Sequence, residues 1–212
     1  MLLEKAKEYA QDCISGKEIT TFEVKTQCKW FLEDLEKQNN DYYPYYFDTK
    51  QIEIIEGILK LLNFATGLNI VGKSIYEGLE NFQAFFIANI FGWRYKTDAK
   101  KYRYREVDLF IPRKNTKTFL AALIFIILML TEDDYSEFYS ICLDRDLAGE
   151  VKKAISQILE MSPAVAEYFK IPKTLSGRLE CTITHSFYQP RTAEANRNNS
   201  IHPSAFIADE FG

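Results

Sequence analysis

The chain has 212 residues, of which 47% are hydrophobic, 26% charged and 15% aromatic. That is the size of one domain, or one domain with an attached segment, and the composition excludes a disordered chain or a fibrous repeat. The net charge of −4 hides an uneven spread: residues 1–93 carry 9 basic and 14 acidic side chains, residues 94–118 carry 9 and 3, and residues 119–212 carry 8 and 13. A local anion site or nucleic-acid contact is therefore sought in the middle stretch, since bulk electrostatics alone predict neither.

In chain order, Leu2 to Ser15 reads as a helix stopped by Gly16. Thr20 and Glu23 have capping-box spacing before a second helix, with Phe22, Cys28, Phe31, Leu32 and Leu35 inward; Asn39-Asn40-Asp41 breaks it. Tyr42 to Phe47 is an aromatic cluster around Pro44, expected to pack against the helices. Asp48 is an N-cap for a helix from Gln51 to Ala65, and Leu79 to Phe91 forms another that ends at Gly92. The character changes after Trp93. Glu106 to Ile111 reads as a strand, and Phe119 to Leu130 as a buried helix, its 12 apolar residues falling short of the roughly 17–25 that span a membrane. Glu137 to Leu143 is a second strand, Leu147 to Met161 a helix, Arg178 to Tyr188 one or two short strands, and Ser204 to Ala208 a last apolar strand. Alternating strands and helices imply a parallel α/β sheet. The four cysteines form no C-x-x-C pair, and Glu4, Lys5 and Lys7 place charges where a signal peptide needs an apolar stretch. A reduced, cytoplasmic setting is expected.

Two segments carry chemistry. Ile111-Pro-Arg-Lys-Asn-Thr-Lys-Thr118 lies between a predicted strand and a predicted helix. In a P-loop, backbone N–H groups and a helix N-terminus cradle phosphates, a lysine reaches the β and γ oxygens, and the next hydroxyl ligates Mg²⁺. Lys117 and Thr118 fit those two roles. Both glycines of the usual pattern are missing, with Ile111 and Thr116 in their places, so a plain charged turn fits the segment equally well. The second segment, Ala205-Phe-Ile-Ala-Asp-Glu210, is an apolar strand ending in two carboxylates. Asp209 can hold Mg²⁺ and Glu210 can orient or deprotonate the attacking water, although a strand end with solvated acids is the simple alternative. Read jointly, the two segments favour nucleotide binding. That reading requires Lys117 and Asp209 to lie side by side at one rim of a shared sheet.

The sequence at this point resembles the large terminase subunit of tailed bacteriophages, the ATP-driven DNA-packaging motor. Trp30-Phe-Leu-Glu-Asp-Leu-Glu36 and the Phe47-Asp48 step are similar to that family's helical N-terminal region. Leu79-Glu-Asn-Phe-Gln83 with Ile90-Phe-Gly-Trp93 resembles the segment in which a glutamine contacts adenine. Pro112-Arg-Lys-Asn-Thr-Lys-Thr118 resembles the family loop, usually P-R-K-N-G-K-S/T. Tyr139 to Ala148 resembles the strand and turn that follow it, and His202 to Glu210 the Walker B strand.

The resemblance implies an N-terminal helical region with the adenine-contact segment (1–93), followed by a RecA-like P-loop NTPase core with a mostly parallel sheet (94–212). It implies an ATPase that uses ATP and Mg²⁺ to drive double-stranded DNA into a capsid. Gln83 would bond the adenine base. Arg113, Lys114, Asn115, Thr116, Lys117 and Thr118 would surround the phosphates, with Arg113 acting as a cis arginine finger. Thr118 and Asp209 would serve the metal, and Glu210 the water. Implied partners are the viral portal, the small terminase subunit and further copies in a homo-oligomeric ring, in the cytoplasm of an infected bacterial host. Two departures stand out. Thr116 replaces glycine where φ > 0 is expected, so a reshaped loop or slow catalysis is anticipated. The sequence stops two residues after Glu210, so the coupling motif, the nuclease domain and the later strands of the sheet are expected to be missing. A helicase-type P-loop ATPase and a catalytically inert binding or assembly module remain as alternatives.

The stretch Arg94 to Arg105 interleaves six cations with three tyrosines, a pattern suited to phosphate contacts and base stacking. The plainer reading, a solvated hairpin, is preferred. His185 and His202 lack ligand partners at zinc spacing.

Overall fold

The computed structural model describes residues 1–112, 114–142, 145–174, 177–192 and 202–208, without the side chains of 145–148. The described chain forms two compact units, residues 1–60 with 76–110 and residues 61–75 with 111–212.

In the first unit, α1 (Leu2–Ser15) packs on α2 (Phe22–Lys37) and α5 (Asn81–Gly92). Gly16 ends α1 in the left-handed conformation, φ 83°, that a side chain would resist. The N-cap of α2 is Thr21, one residue later than its sequence suggests, with its hydroxyl accepting from Val24 N–H at 3.4 Å. Phe22, expected inward, is exposed because it opens the helix at the rim of the packed face. Helix α3 (Thr49–Leu61) starts as predicted, Asp48 Oδ1 accepting from Gln51 N–H at 3.1 Å. It stops four residues short of Ala65, and Leu62 O accepts from Ile75 N–H at 2.8 Å where the chain turns towards the short α4 (Ile75–Gly78).

A three-stranded antiparallel sheet completes this unit: β1 (Tyr45–Phe47), β2 (Trp93–Tyr95) and β3 (Asp98–Tyr102), in that order. The Tyr42 to Phe47 cluster thus supplies a strand, and its rings serve packing, Tyr45 meeting Tyr95 edge-on at 4.9 Å. The cationic stretch forms a hairpin, β2–β3, and two of its three arginines are structural. Arg94 is buried with its guanidinium 3.4 Å from the Tyr102 ring centroid. Arg103 pairs with the buried Asp34 of α2 at 2.6 Å.

The second unit is built on α6 (Lys117–Thr131), α7 (Arg145–Glu160), the short α8 (Pro163–Ala166) and a five-stranded sheet in the order β5 (Phe169–Lys170), β6 (Leu179–Cys181), β7 (Phe187–Thr192), β4 (Glu137–Cys142), β8 (Ala205–Ala208). Helix α6 is apolar all round, as a helix enclosed by protein must be, and Leu120, Leu123, Phe125, Ile126 and Ile127 are fully buried. The sheet face bearing Phe138, Ser140 and Tyr188 turns to α6. There Phe125 and Tyr188 lie 4.6 Å apart, and the Tyr188 hydroxyl bonds Ser140 Oγ at 2.7 Å.

Two expectations about this sheet need correction. It is mixed rather than mostly parallel: β4 pairs in parallel with β7 and β8, but β5–β6 and β6–β7 are antiparallel. Short connections between β5, β6 and β7 permit only hairpin-like pairing, whereas parallel neighbours need long crossovers. The second concerns Glu106 to Ile111, which belongs to no strand; no described segment pairs with it, and Val107 and Phe110 are exposed. The apolar pattern is there, but an extended segment becomes a strand only with a partner.

Candidate functional site

The loop before α6 turns on local chemistry. Asn115 N–H donates to Pro112 O at 3.3 Å, closing a tight turn, and Thr116 O accepts from Leu120 N–H at 2.9 Å, making Thr116 the N-cap of α6. Two residues of this turn have positive φ: Lys114 at 69° and Thr116 at 65°. Asn115 between them does not. Alternation of right- and left-handed residues turns successive N–H groups towards one point, which is how main chain makes an anion-binding concavity. The loop leads into the first turn of α6, where the helix dipole favours negative charge.

Lys117 and Thr118 are half-buried in that first turn, while Lys114, Asn115 and Thr116 are exposed. The Thr116 hydroxyl donates to Asn115 O at 2.6 Å. Positive φ at this position falls on a β-branched residue, held where few such residues sit.

The other sequence-predicted residues stand as follows. Gln83 is buried in the first turn of α5, where its Oε1 accepts from Glu80 N–H at 3.0 Å as half of a capping box. It lies in the first compact unit, and Lys117 and Thr118 in the second. Arg113, Asp209 and Glu210 lie outside the described residues. The strand that leads to Asp209, β8, is a parallel neighbour of β4, with Tyr139 opposite Phe206. The segment before the loop is not part of that sheet, so the shared-sheet requirement on Lys117 and Asp209 is not met by strand pairing among the described residues. Among those residues no cluster of His, Cys, Asp or Glu could hold a metal ion.

Sequence reasoning missed the left-handed Lys114, because lysine gives no signal of positive φ. It also missed the capping role of Gln83, although Glu80 and Gln83 have the spacing of a capping box. A further feature it did not find is the buried Lys152 of α7. Its ammonium donates to Pro172 O at 3.2 Å and to Thr174 O, and burial holds its pKa below the usual lysine range. Its partners among the described residues are these two carbonyls, which tie down the chain after β5.

Residues 81–212 match the sequence family described as terminase large subunit, ATPase domain. The fold is similar to the crystal structure of the HK97 bacteriophage large terminase, at a TM-score of 0.59 and 20% identity, over 74% of this chain and 30% of that one. No curated protein sequence matches the chain. No helix among the described residues is long and apolar enough to cross a membrane. The family match takes in α5, the loop and α6, and both chemistry-bearing segments, and on it the chain belongs to the terminase large subunit ATPase-domain family.

Proposed function

We propose that this chain is an ATP-hydrolysing module of a viral DNA-packaging motor, with a RecA-like P-loop core in residues 94–212 and an adenine-contact segment within 1–93. One observation supports the reading: Lys114 and Thr116, directly before α6 and Lys117, both stand at positive φ, a backbone setting suited to presenting main-chain N–H groups to an anion. A triphosphate suits such a cradle, since its oxygens accept from several N–H groups at once while a lysine neutralises the β and γ charge. Lys114 and Asn115 line the approach, and Thr118 offers its hydroxyl to the metal. Bound Mg²⁺ would supply charge neutralisation across the β and γ phosphates, held by Thr118 and Asp209. Glu210 would orient the attacking water, Arg113 would offset charge building on the transferred group, and Gln83 would bond the adenine. Double-stranded DNA as the load, and the portal, the small terminase subunit and a homo-oligomeric ring as partners, belong to this proposal. So does residence in the cytoplasm of an infected bacterium.

Melting of the wild-type chain with ATP and Mg²⁺ tests it. An upward shift should occur and should vanish in Lys117→Ala; a wild type unmoved by millimolar nucleotide would refute the reading. A second reading, nucleotide binding without turnover, is favoured by the strained Thr116. Phosphate release measured on the wild type and on Thr116→Gly separates the two: binding without release in both variants supports the inert module.

A further inference from the structure

We infer that a cavity at the far end of α6 from the candidate loop is a second binding site, which takes one nucleoside monophosphate. The base would stack on Tyr135 and His185, and the phosphate would meet Lys170 and Arg178.

The cavity has a volume of about 330 Å³, and its lining includes Tyr135, Lys170, Arg178, Glu180 and His185. Sites for small molecules span about 300–1,000 Å³, so it has room for one such ligand. Tyr135 and His185 each stand two residues before a strand, β4 and β7, and these are parallel neighbours. Thr184 and Ser186, on either side of His185, hold their hydroxyl oxygens 2.7 and 3.1 Å from Met129 O near the end of α6. Met129 lies 12 residues beyond Lys117. At 1.5 Å per residue that is about 18 Å along the helix. The candidate loop and this cavity are therefore separate sites.

Two turns hold the rings in place. Tyr135 N–H donates to Thr184 O at 2.8 Å, and Phe187 N–H donates to Ser136 O at 3.1 Å, which ties the turn before β4 to the turn before β7. Ser136, Thr184 and Ser186 are buried, whereas Tyr135 and His185 are exposed. The two rings lie nearly parallel, with 19° between their planes and 5.4 Å between their centroids. Both residues stand at positive φ, 64° and 54°. Glycine or asparagine fills such positions with little strain, yet at both the chain carries a ring. Folding gains little from a strained, exposed pair, so the choice points to a ligand stacked on it. A flat base suits that surface, since every base has a face that stacks on aromatic side chains.

Charge at the same cavity selects an anion. Arg178 is fixed by Glu180, its Nε and Nη2 donating to Glu180 Oε1 at 2.8 and 2.6 Å. Lys170 is exposed and stands opposite Glu180 in the β5–β6 pair. Two cations against one carboxylate leave the lining positive, enough to attract one phosphate monoester. Asp133 and Asp134 are exposed beside Tyr135 in sequence, outside the lining, and oppose a more highly charged ligand such as a triphosphate.

Nuclear magnetic resonance of the isotope-labelled chain, titrated with AMP in the absence of Mg²⁺, tests this, because His185 and His202 are its two histidines. The imidazole signal that disappears in His185→Asn should move as the base stacks, and the His202 signal should stay. Tyr135→Asn should weaken AMP binding about tenfold, and Lys170→Ala severalfold. Neither should lower the melting temperature, since asparagine suits positive φ at residue 135 and Lys170 is exposed. Lys117→Ala should leave the titration unchanged. Adenosine and ribose 5-phosphate, each one half of the ligand, should bind about tenfold or more weaker than AMP. A short single strand with a 5′-phosphate that displaces AMP identifies a nucleic-acid end as the source, and one that does not identifies free nucleotide; both agree with the inference. A His185 signal unmoved by millimolar AMP overturns it, as does a titration unaffected by Tyr135→Asn and lost in Lys117→Ala. Either result leaves the nucleotide reading of the loop intact.

Discussion

Asp34→Ala removes the one carboxylate within ion-pair distance of Arg103 among the described residues, and the structure sets the size of the effect. Arg103 Nη1 lies 2.6 Å from Asp34 Oδ2 and donates to the Tyr43 hydroxyl at 2.9 Å. The guanidinium also sits over the rings of Tyr45, Tyr104 and Trp93, at 4.5, 5.0 and 5.2 Å from their centroids. The two side chains are only 18% and 8% exposed, so little water is at hand to replace the lost partner. Deleting one member of a buried pair costs about 3–5 kcal/mol. The aromatic faces hold the cation in wild type and variant alike, so a loss of about 3–5 kcal/mol is expected for D34A. The neighbouring Lys37 is half exposed and 3.8 Å from Oδ1, and contributes little.

The assay is urea unfolding followed by tryptophan fluorescence, because Trp30 and Trp93 are the two tryptophans of the chain and both lie in the first compact unit. The informative control is Asp34→Ala combined with Arg103→Met. The thioether chain fills the aromatic cage without charge, so the double variant should be more stable than D34A alone. A D34A loss below about 1 kcal/mol, the size of a surface ion pair, would refute the argument. So would a double variant as unstable as the sum of its single substitutions.

Gly92→Ala should destabilise the first unit by about 1–3 kcal/mol, as overpacking does. An added Cβ would collide with the Phe47 ring, and the adjoining backbone cannot retreat while Asp48 N–H donates to Gly92 O at 2.7 Å. The same urea titration reads it, and a second substitution, Phe47→Leu, should recover part of the loss. Acid should loosen the start of α1 through Glu56, which accepts from Leu2 N–H at 2.6 Å and from the Lys60 ammonium at 2.7 Å. Burial opposes its charge, but the Lys60 ammonium and the Leu2 N–H outweigh it and hold its pKa below the ordinary 4.5. A depressed carboxylate pKa gives stability that is present above 4.5 and is lost as pH falls through the folded value. Hydrogen exchange of the α1 amides should accelerate over that acid range in wild type, and Glu56→Gln should flatten the dependence.

What the sequence made legible is what local chemistry decides. Gly16 and Asp48 mark helix ends because a left-handed stop and a side-chain cap depend on neighbours a few residues away. Helix α6 was visible because its twelve consecutive apolar residues need enclosure. The sheet β1–β2–β3 was not visible, since Phe47 opposite Trp93 is a pairing between segments that each span three residues and lie far apart in the chain. The same distance hid the use of Arg103: beside Lys100 and Lys101 it reads as part of a cationic surface, but its partner is on α2. Glu106 to Ile111 failed for the converse reason, a strand-like pattern with no edge to join. At the candidate site, the need for positive φ at residue 116 could be read from the glycine it replaces, while Lys114 carried no comparable mark.

The motifs that signal this family have two different physical bases. Phe91-Gly92-Trp93 belongs to packing: Gly92 leaves room for the Phe47 ring, Trp93 meets Phe47 and Phe31 edge-on at 5.2 and 6.3 Å, and the Asp48 amide closes the joint on Gly92. The aromatic step at Phe47-Asp48 and the F-G-W run, 45 residues apart in sequence from Phe47 to Gly92, are thus two sides of a single contact. Pro112 to Thr118 has no such packing role, because Lys114, Asn115 and Thr116 are exposed and two of the three stand at positive φ. Exposed residues that make no core contact gain nothing from strain, so a strained and exposed turn needs a reason outside folding. The proposed nucleotide, seated against this loop, would supply one, whereas the more distinctive F-G-W run is accounted for by packing alone.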